Sequence, residues 1–248
     1  MSRLKPSEWS KVEQTSTSST LARHGLPVRR SKSVVIGTFN IRDLGSSESR
    51  TGSKRKGRTP GAWKLLARVC SRFDLLAVQE VLDDLSGLRR LQKDIKDAHN
   101  RSLKLVVSDI AGHRPGGAGE TERLAFLYNP SRIEHTELAA EVTSDRATVA
   151  ETLYERRTDY AAAFKAHKKA LDAWEIESAQ RRAAGKRKKT KPWFAFPTFL
   201  TFIRPPHVAS FRIKARGNAK PIDLLAVNAH LLYGKNDDER LWEFLELV

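Results

Sequence analysis

Short β-branched apolar runs alternate along this chain with stretches of helical spacing, and this alternation constrains the fold most. Residues 34–39, VVIGTF, read as a buried strand. Pro60 opens a helix whose apolar residues Trp63, Leu66, Ala67 and Cys70 are spaced three and four apart. Residues 73–81 form a second apolar run, and 85–98 repeat the helical spacing through Leu88, Leu91 and Ile95. Strands are predicted at 103–110, 124–128, 209–213 and 222–228, with a final helix starting near residues 236–239. Strands alternating with helices predict an α/β domain, here over 34–248.

Two stretches break the rhythm. Residues 1–33 are polar and lack apolar periodicity, which predicts a basic, mostly disordered tail. Residues 140–202 form an insert rich in Ala, Glu, Lys and Arg, with one or two long helices ending at Gly185. No internal repeat is visible. No apolar run approaches the ~20 residues that a membrane-spanning helix needs. A single cysteine, Cys70, cannot bridge within the chain, and no signal-peptide core precedes residue 33. The expectation is a soluble protein of a reducing, cytoplasmic compartment.

The charge points to a partner. Lysine and arginine number 45 against 29 acids, a net of +16. Three stretches carry the whole excess: 1–33 with +5, 42–58 with +4 and 181–191 with +7. A neutral body with basic patches predicts a polyanion partner, nucleic acid first and an anionic membrane surface second. The candidate phosphate contacts are Arg42, Lys54, Arg55, Lys56 and Arg58, then Arg181, Arg182, Lys186, Arg187, Lys188, Lys189 and Lys191. The plainer alternative is that such runs are solvated loops.

Three polar residues sit where packing does not ask for them. Asn40 follows the first strand, Glu80 lies near the end of the second, and His230 follows the last clear strand. In open α/β sheets, ligands bind at the carboxyl ends of strands. An amide beside a carboxylate offers oxygen ligands suited to a hard cation such as Mg²⁺. Glu122, just before the fourth strand, could orient a histidine. Taken singly, Asn40 also reads as a turn residue, Glu80 as a surface acid and His230 as a structural histidine.

In chain order, VVIGTFNIRDLG, FDLLAVQEV, ETERLAFLYNPSRIE, RPPHVASFRI and IDLLAVNAHLLYGK resemble the endonuclease/exonuclease/phosphatase superfamily, in its deoxyribonuclease I-like branch. The resemblance covers about residues 33–137 and 203–245. It implies a four-layer α-β-β-α sandwich, incomplete here and interrupted by the helical insert. It implies Asn40 as a metal and phosphate contact, Glu80 as the principal ligand of Mg²⁺ (or Mn²⁺ or Ca²⁺), and His230 as a catalytic histidine paired with Glu122. Arg204 matches the family only loosely and reads as structural. The implied activity is a Mg-dependent phosphodiesterase, an endonuclease on DNA (or RNA). Nothing after His230 matches the family's Asp-x-Asn and Asp-His elements. The alternative is therefore a catalytically incomplete nucleic-acid-binding or assembly subunit. Either way, another protein chain completing or covering the sheet is expected.

Overall fold

The computed structural model describes residues 6–31, 33–45, 58–112, 121–232 and 237–248. The chain is mixed α/β and forms two units. The first comprises Met1–Ile110, Glu122–Glu141 and His207–Ala229; the second comprises Ala111–Thr121, Val142–Pro206 and His230–Val248.

The first unit holds two sheets. Strands β1 (Ile36–Leu44), β2 (Leu75–Leu82), β3 (Lys104–Val107) and β4 (Glu122–Tyr128) form one, in the order β1-β2-β4-β3. Strands β5 (Ile133–Glu141), β6 (His207–Ile213) and β7 (Ile222–Asn228) form the other, in that order. β1 and β2 are parallel, whereas β4 runs antiparallel to both β2 and β3. β5 exceeds the sequence expectation, because His135 to Glu141 is mostly polar and exposed and gives no apolar signal.

The near-continuous apolar run of β2 reflects burial on both faces. Leu76 and Val78 pack with Ala125 and Leu127 against two helices, α3 (Pro60–Cys70) and α4 (Ser86–His99). Leu75, Phe126 and Tyr128 point the other way and meet Ile133, Ala209 and Phe211 of the second sheet. Phe126 and Phe211 meet edge to face with centroids 5.4 Å apart. Within this unit, helices, the four-stranded sheet and the three-stranded sheet are therefore stacked in turn. The far side of β7 leaves Leu225 and Val227 exposed.

Local signals set the helix ends. Thr59 caps α3 by accepting from the Ala62 amide, with Pro60 in the first turn. Asn100 ends α4 in a left-handed conformation. Gly87, at the start of α4, lies against the end of β1: a Cβ there would sit 1.8 Å from the Gly45 carbonyl oxygen. Backbone has little room to yield. Gly87→Ala is expected to destabilise the protein by about 2 kcal/mol. Urea unfolding checks this, and an unchanged midpoint would refute the close approach.

The basic N-terminal stretch, expected to lack regular structure, carries two short helices, α1 (Pro6–Thr15) and α2 (Ser18–Arg23). Arg68 of α3 donates to the Ser16 carbonyl at 2.7 Å. Arg29 reaches the buried carboxylate of Asp74 at 3.1 Å. Polar contacts thus supply a docking that apolar periodicity does not announce. A cavity of about 510 Å³ among α1, α3 and α4 is lined by Val12, Trp63, Arg68, Arg90 and His99, among others.

The second unit contains α5 (Arg146–Glu155), the long α6 (Arg157–Ala183), the irregular segment 193–206 and α7 (Asp237–Leu247). Its interior is aromatic: Tyr160, Phe194 and Phe202 are buried, with the Phe164 and Phe194 rings 4.7 Å apart. Burial pushes the Tyr160 phenol up to about 12. α7 turns two acids inward. Glu239 accepts from the Phe196 amide at 3.1 Å, and Glu243 from the Ile203 and Leu232 amides at 3.0 and 2.6 Å. These carboxylates satisfy backbone donors that the irregular segment cannot pair within itself. Among the described residues, no helix is long and apolar enough to cross a membrane.

Candidate active site

The parallel pair β1–β2 brings Asn40 opposite Gln79, and its register breaks between Asn40 and Leu44. The β2–β4 ladder breaks at the same level, between Val78 and Val81. Glu80 lies in this bulge with φ +59°, while Arg42 and Asp43 have φ +54° and +56°. A left-handed backbone is costly for residues with a Cβ, on the order of 1–3 kcal/mol each, and clusters at functional sites. Here it lifts Glu80 out of the pleat. Its Oε1 accepts from Asn40 Nδ2 at 2.8 Å, and its Oε2 from the Asp43 amide at 3.2 Å. Asn40 Oδ1 in turn accepts from the Arg42 amide at 2.9 Å. The sequence places Asn40 after the strand; the structure carries β1 on to Leu44 and sets Asn40 within it.

Beneath the bulge lies a buried amide pair that sequence reasoning missed. Gln79 Nε2 donates to Thr38 Oγ1 at 2.8 Å and to Asn228 Oδ1 at 2.6 Å. Asn228 Nδ2 donates to the carbonyls of Val78 and Ala125, each at 3.0 Å. Val78 and Ala125 are the last partners before the β2–β4 break. Asn228, from the other sheet, therefore satisfies carbonyls at the edge of the bulge and fixes the residue next to Glu80. The available signal was an asparagine closing a largely apolar strand.

The other expected residues are placed as follows. Glu122 is the first residue of β4, buried, and opposite Leu82 in register, on the same sheet as Glu80. His230 belongs to the second unit, where its carbonyl accepts from Arg204 at 3.2 Å. Arg42 is exposed on β1. Lys54, Arg55 and Lys56 lie outside the described residues. Arg58, expected among the phosphate contacts, directs its guanidinium to the carbonyls of Ile41, Arg42 and Asp43. Burial lowers its pKa, against the opposing charge of Asp43. It braces the strained turn beside Glu80. Arg181 and Lys189 both pair with Glu177, whereas Arg182, Lys186, Arg187, Lys188 and Lys191 are exposed.

Among the described residues, no cluster of three or more His, Cys, Asp or Glu side chains is arranged to hold a metal. Glu80 and Asn40 side by side offer oxygen donors, the kind that a hard cation takes.

Comparison with known proteins gives a partial match. A deoxyribonuclease from Thioalkalivibrio sp. (strain K90mix) is 31% identical over 70 residues, which is 28% of this chain and 18% of that protein's length. No protein-family model matches the chain. The match supports a nuclease-like relationship.

Proposed function

We propose that this chain is a metal-dependent phosphodiesterase of the endonuclease type, acting on DNA or RNA. The carrying observation is the Glu80–Asn40 pair, held by a bulge and left-handed backbone near the carboxyl end of β2 and within β1. Strain maintained at a carboxylate is expected where the carboxylate has chemistry to perform. The partial likeness to a deoxyribonuclease supports the nuclease sense of this reading.

In this reading Glu80, with Asn40 beside it, would hold Mg²⁺, which would supply neutralisation of the charge developing on the phosphate. Asn40 also offers its amide to a phosphate oxygen. His230 exchanges a proton with the reacting oxygen, and Glu122 orients it, as the family resemblance implies. The exposed cations of 181–191 retain the phosphate backbone. A second protein chain belongs to this reading too, supported by exposed Leu225 and Val227 on β7.

A supercoiled-plasmid nicking assay on the 248-residue chain tests it. Nicking is expected with Mg²⁺ and should disappear with EDTA. Salt-sensitive binding without nicking would instead favour a binding or assembly subunit whose chemistry needs a partner.

A further inference from the structure

The basic run at the end of α6 is folded back rather than loose. Gly185 takes φ +66°, and the Lys186 amide donates to the Arg181 carbonyl at 2.8 Å, reversing the chain. The returning segment is pinned to the helix it left. Trp174 Nε1 donates to the Lys189 carbonyl at 3.0 Å, and Glu177 takes Lys189 Nζ at 2.8 Å and Arg181 Nε at 3.2 Å. Arg181 also donates to the Arg187 carbonyl at 3.3 Å.

Glu177 thus offsets part of the charge of two of the seven cations. The other five, Arg182, Lys186, Arg187, Lys188 and Lys191, are exposed and make no ion pair among the described residues. Trp193 follows directly and is 51% exposed, while its neighbour Phe194 is 2% exposed and packs inward. Fixed cations ending beside one presented indole match the needs of a flexible polyanion with accessible π-faces. Cations track phosphates, and an aromatic ring stacks on an unpaired base. A duplex keeps its bases stacked and cannot use the ring. An anionic membrane would call for a broad apolar face, which the inward turn of Phe194 withdraws.

We propose that the fold-back over residues 181–193 is a binding surface for single-stranded nucleic acid, with its five outward cations on phosphates and Trp193 stacked on a base. It rests on the proposed nuclease reading for its ligand class and refines the phosphate retention that this reading gives to the cations of 181–191. Pre-anchoring by Trp174 and Glu177 lowers the ordering cost of binding.

Fluorescence anisotropy of a labelled oligothymidylate with the full chain tests this, between about 50 and 200 mM salt. Replacing the five cations with serine should flatten the slope of log affinity against log salt by about 3 to 4, at ~0.7 per contact on a single strand. Trp193→Ala should weaken binding about tenfold, and Trp193→Phe should restore most of it. With EDTA present throughout, affinity is read without any cleavage, so failure of the nuclease reading stays distinguishable. An unchanged slope in the five-cation variant overturns the surface. A duplex bound as tightly as the oligothymidylate, with Trp193→Ala silent, overturns the single-strand assignment. Binding only to phosphatidylserine vesicles assigns the surface to membranes and overturns it also.

Discussion

Replacing Asp74 with alanine should cost about 3–5 kcal/mol, a large share of the stability of an ordinary folded domain. Asp74 is 0% exposed and stands just before β2, at the end opposite Glu80. Its carboxylate accepts from Arg29 at 3.1 Å, Arg101 at 2.9 Å, Arg132 at 3.2 Å, Asn129 Nδ2 at 3.1 Å and the Val35 amide at 3.1 Å. Removing it leaves these guanidinium groups crowded around a single lost anion. Burial, followed by the neighbouring charge of Arg29, already pushes Arg101 down to about 10. Burial by itself would raise the Asp74 pKa. The hydrogen bonds from Asn129 and Val35, with the Arg29 and Arg132 charges, outweigh it and hold the carboxyl below its ordinary value. The folded pKa is depressed, so the contribution is present above the unfolded value of about 3.9 and is lost as pH falls through the folded one. Urea unfolding should show the loss at pH 7, and the variant should lack this acid-sensitive component. A cost under about 1 kcal/mol would refute the role.

Glu80→Ala should reduce nicking by at least about 10²-fold. A bound cation supplies several kcal/mol of charge stabilisation, and each 1.36 kcal/mol is a factor of ten. Glu80→Gly should be equally inactive yet about 1 kcal/mol more stable than Glu80→Ala, because glycine takes φ +59° without the Cβ penalty. The alanine and glycine pair separates chemistry from folding: two inactive proteins of different stability. Full nicking by either variant would remove Glu80 from the reaction. Equal stability of the two would remove the strain argument.

Elements with a strong local signal were legible in the sequence. The period of Leu88, Leu91 and Ile95 marks α4, and the β-branched and apolar runs mark β1, β2, β6 and β7. Gly185 marks the end of the long insert helix, because its left-handed turn needs no partner elsewhere. β5 was not legible, since its side chains are mostly polar and its strand character comes from pairing with β6. The helices of the basic N-terminal stretch were missed for a related reason: contacts such as Arg68 to Ser16 leave no periodic trace.

The candidate site divides along the same line. Composition and strand position single out Asn40 and Glu80 as polar residues at apolar strand ends. Only the fold shows that a bulge and left-handed backbone join them at 2.8 Å, and that Asn228, 150 residues from Val78 along the chain, braces that bulge. It also shows the Arg58 guanidinium bracing three backbone carbonyls. Wherever burial is periodic, the order of residues marks the strands and helices, and it marks where the cations lie along the chain. The tertiary structure alone decided which buried polar groups satisfy one another, because a hydrogen bond depends on distance and angle in space and leaves no spacing along the chain.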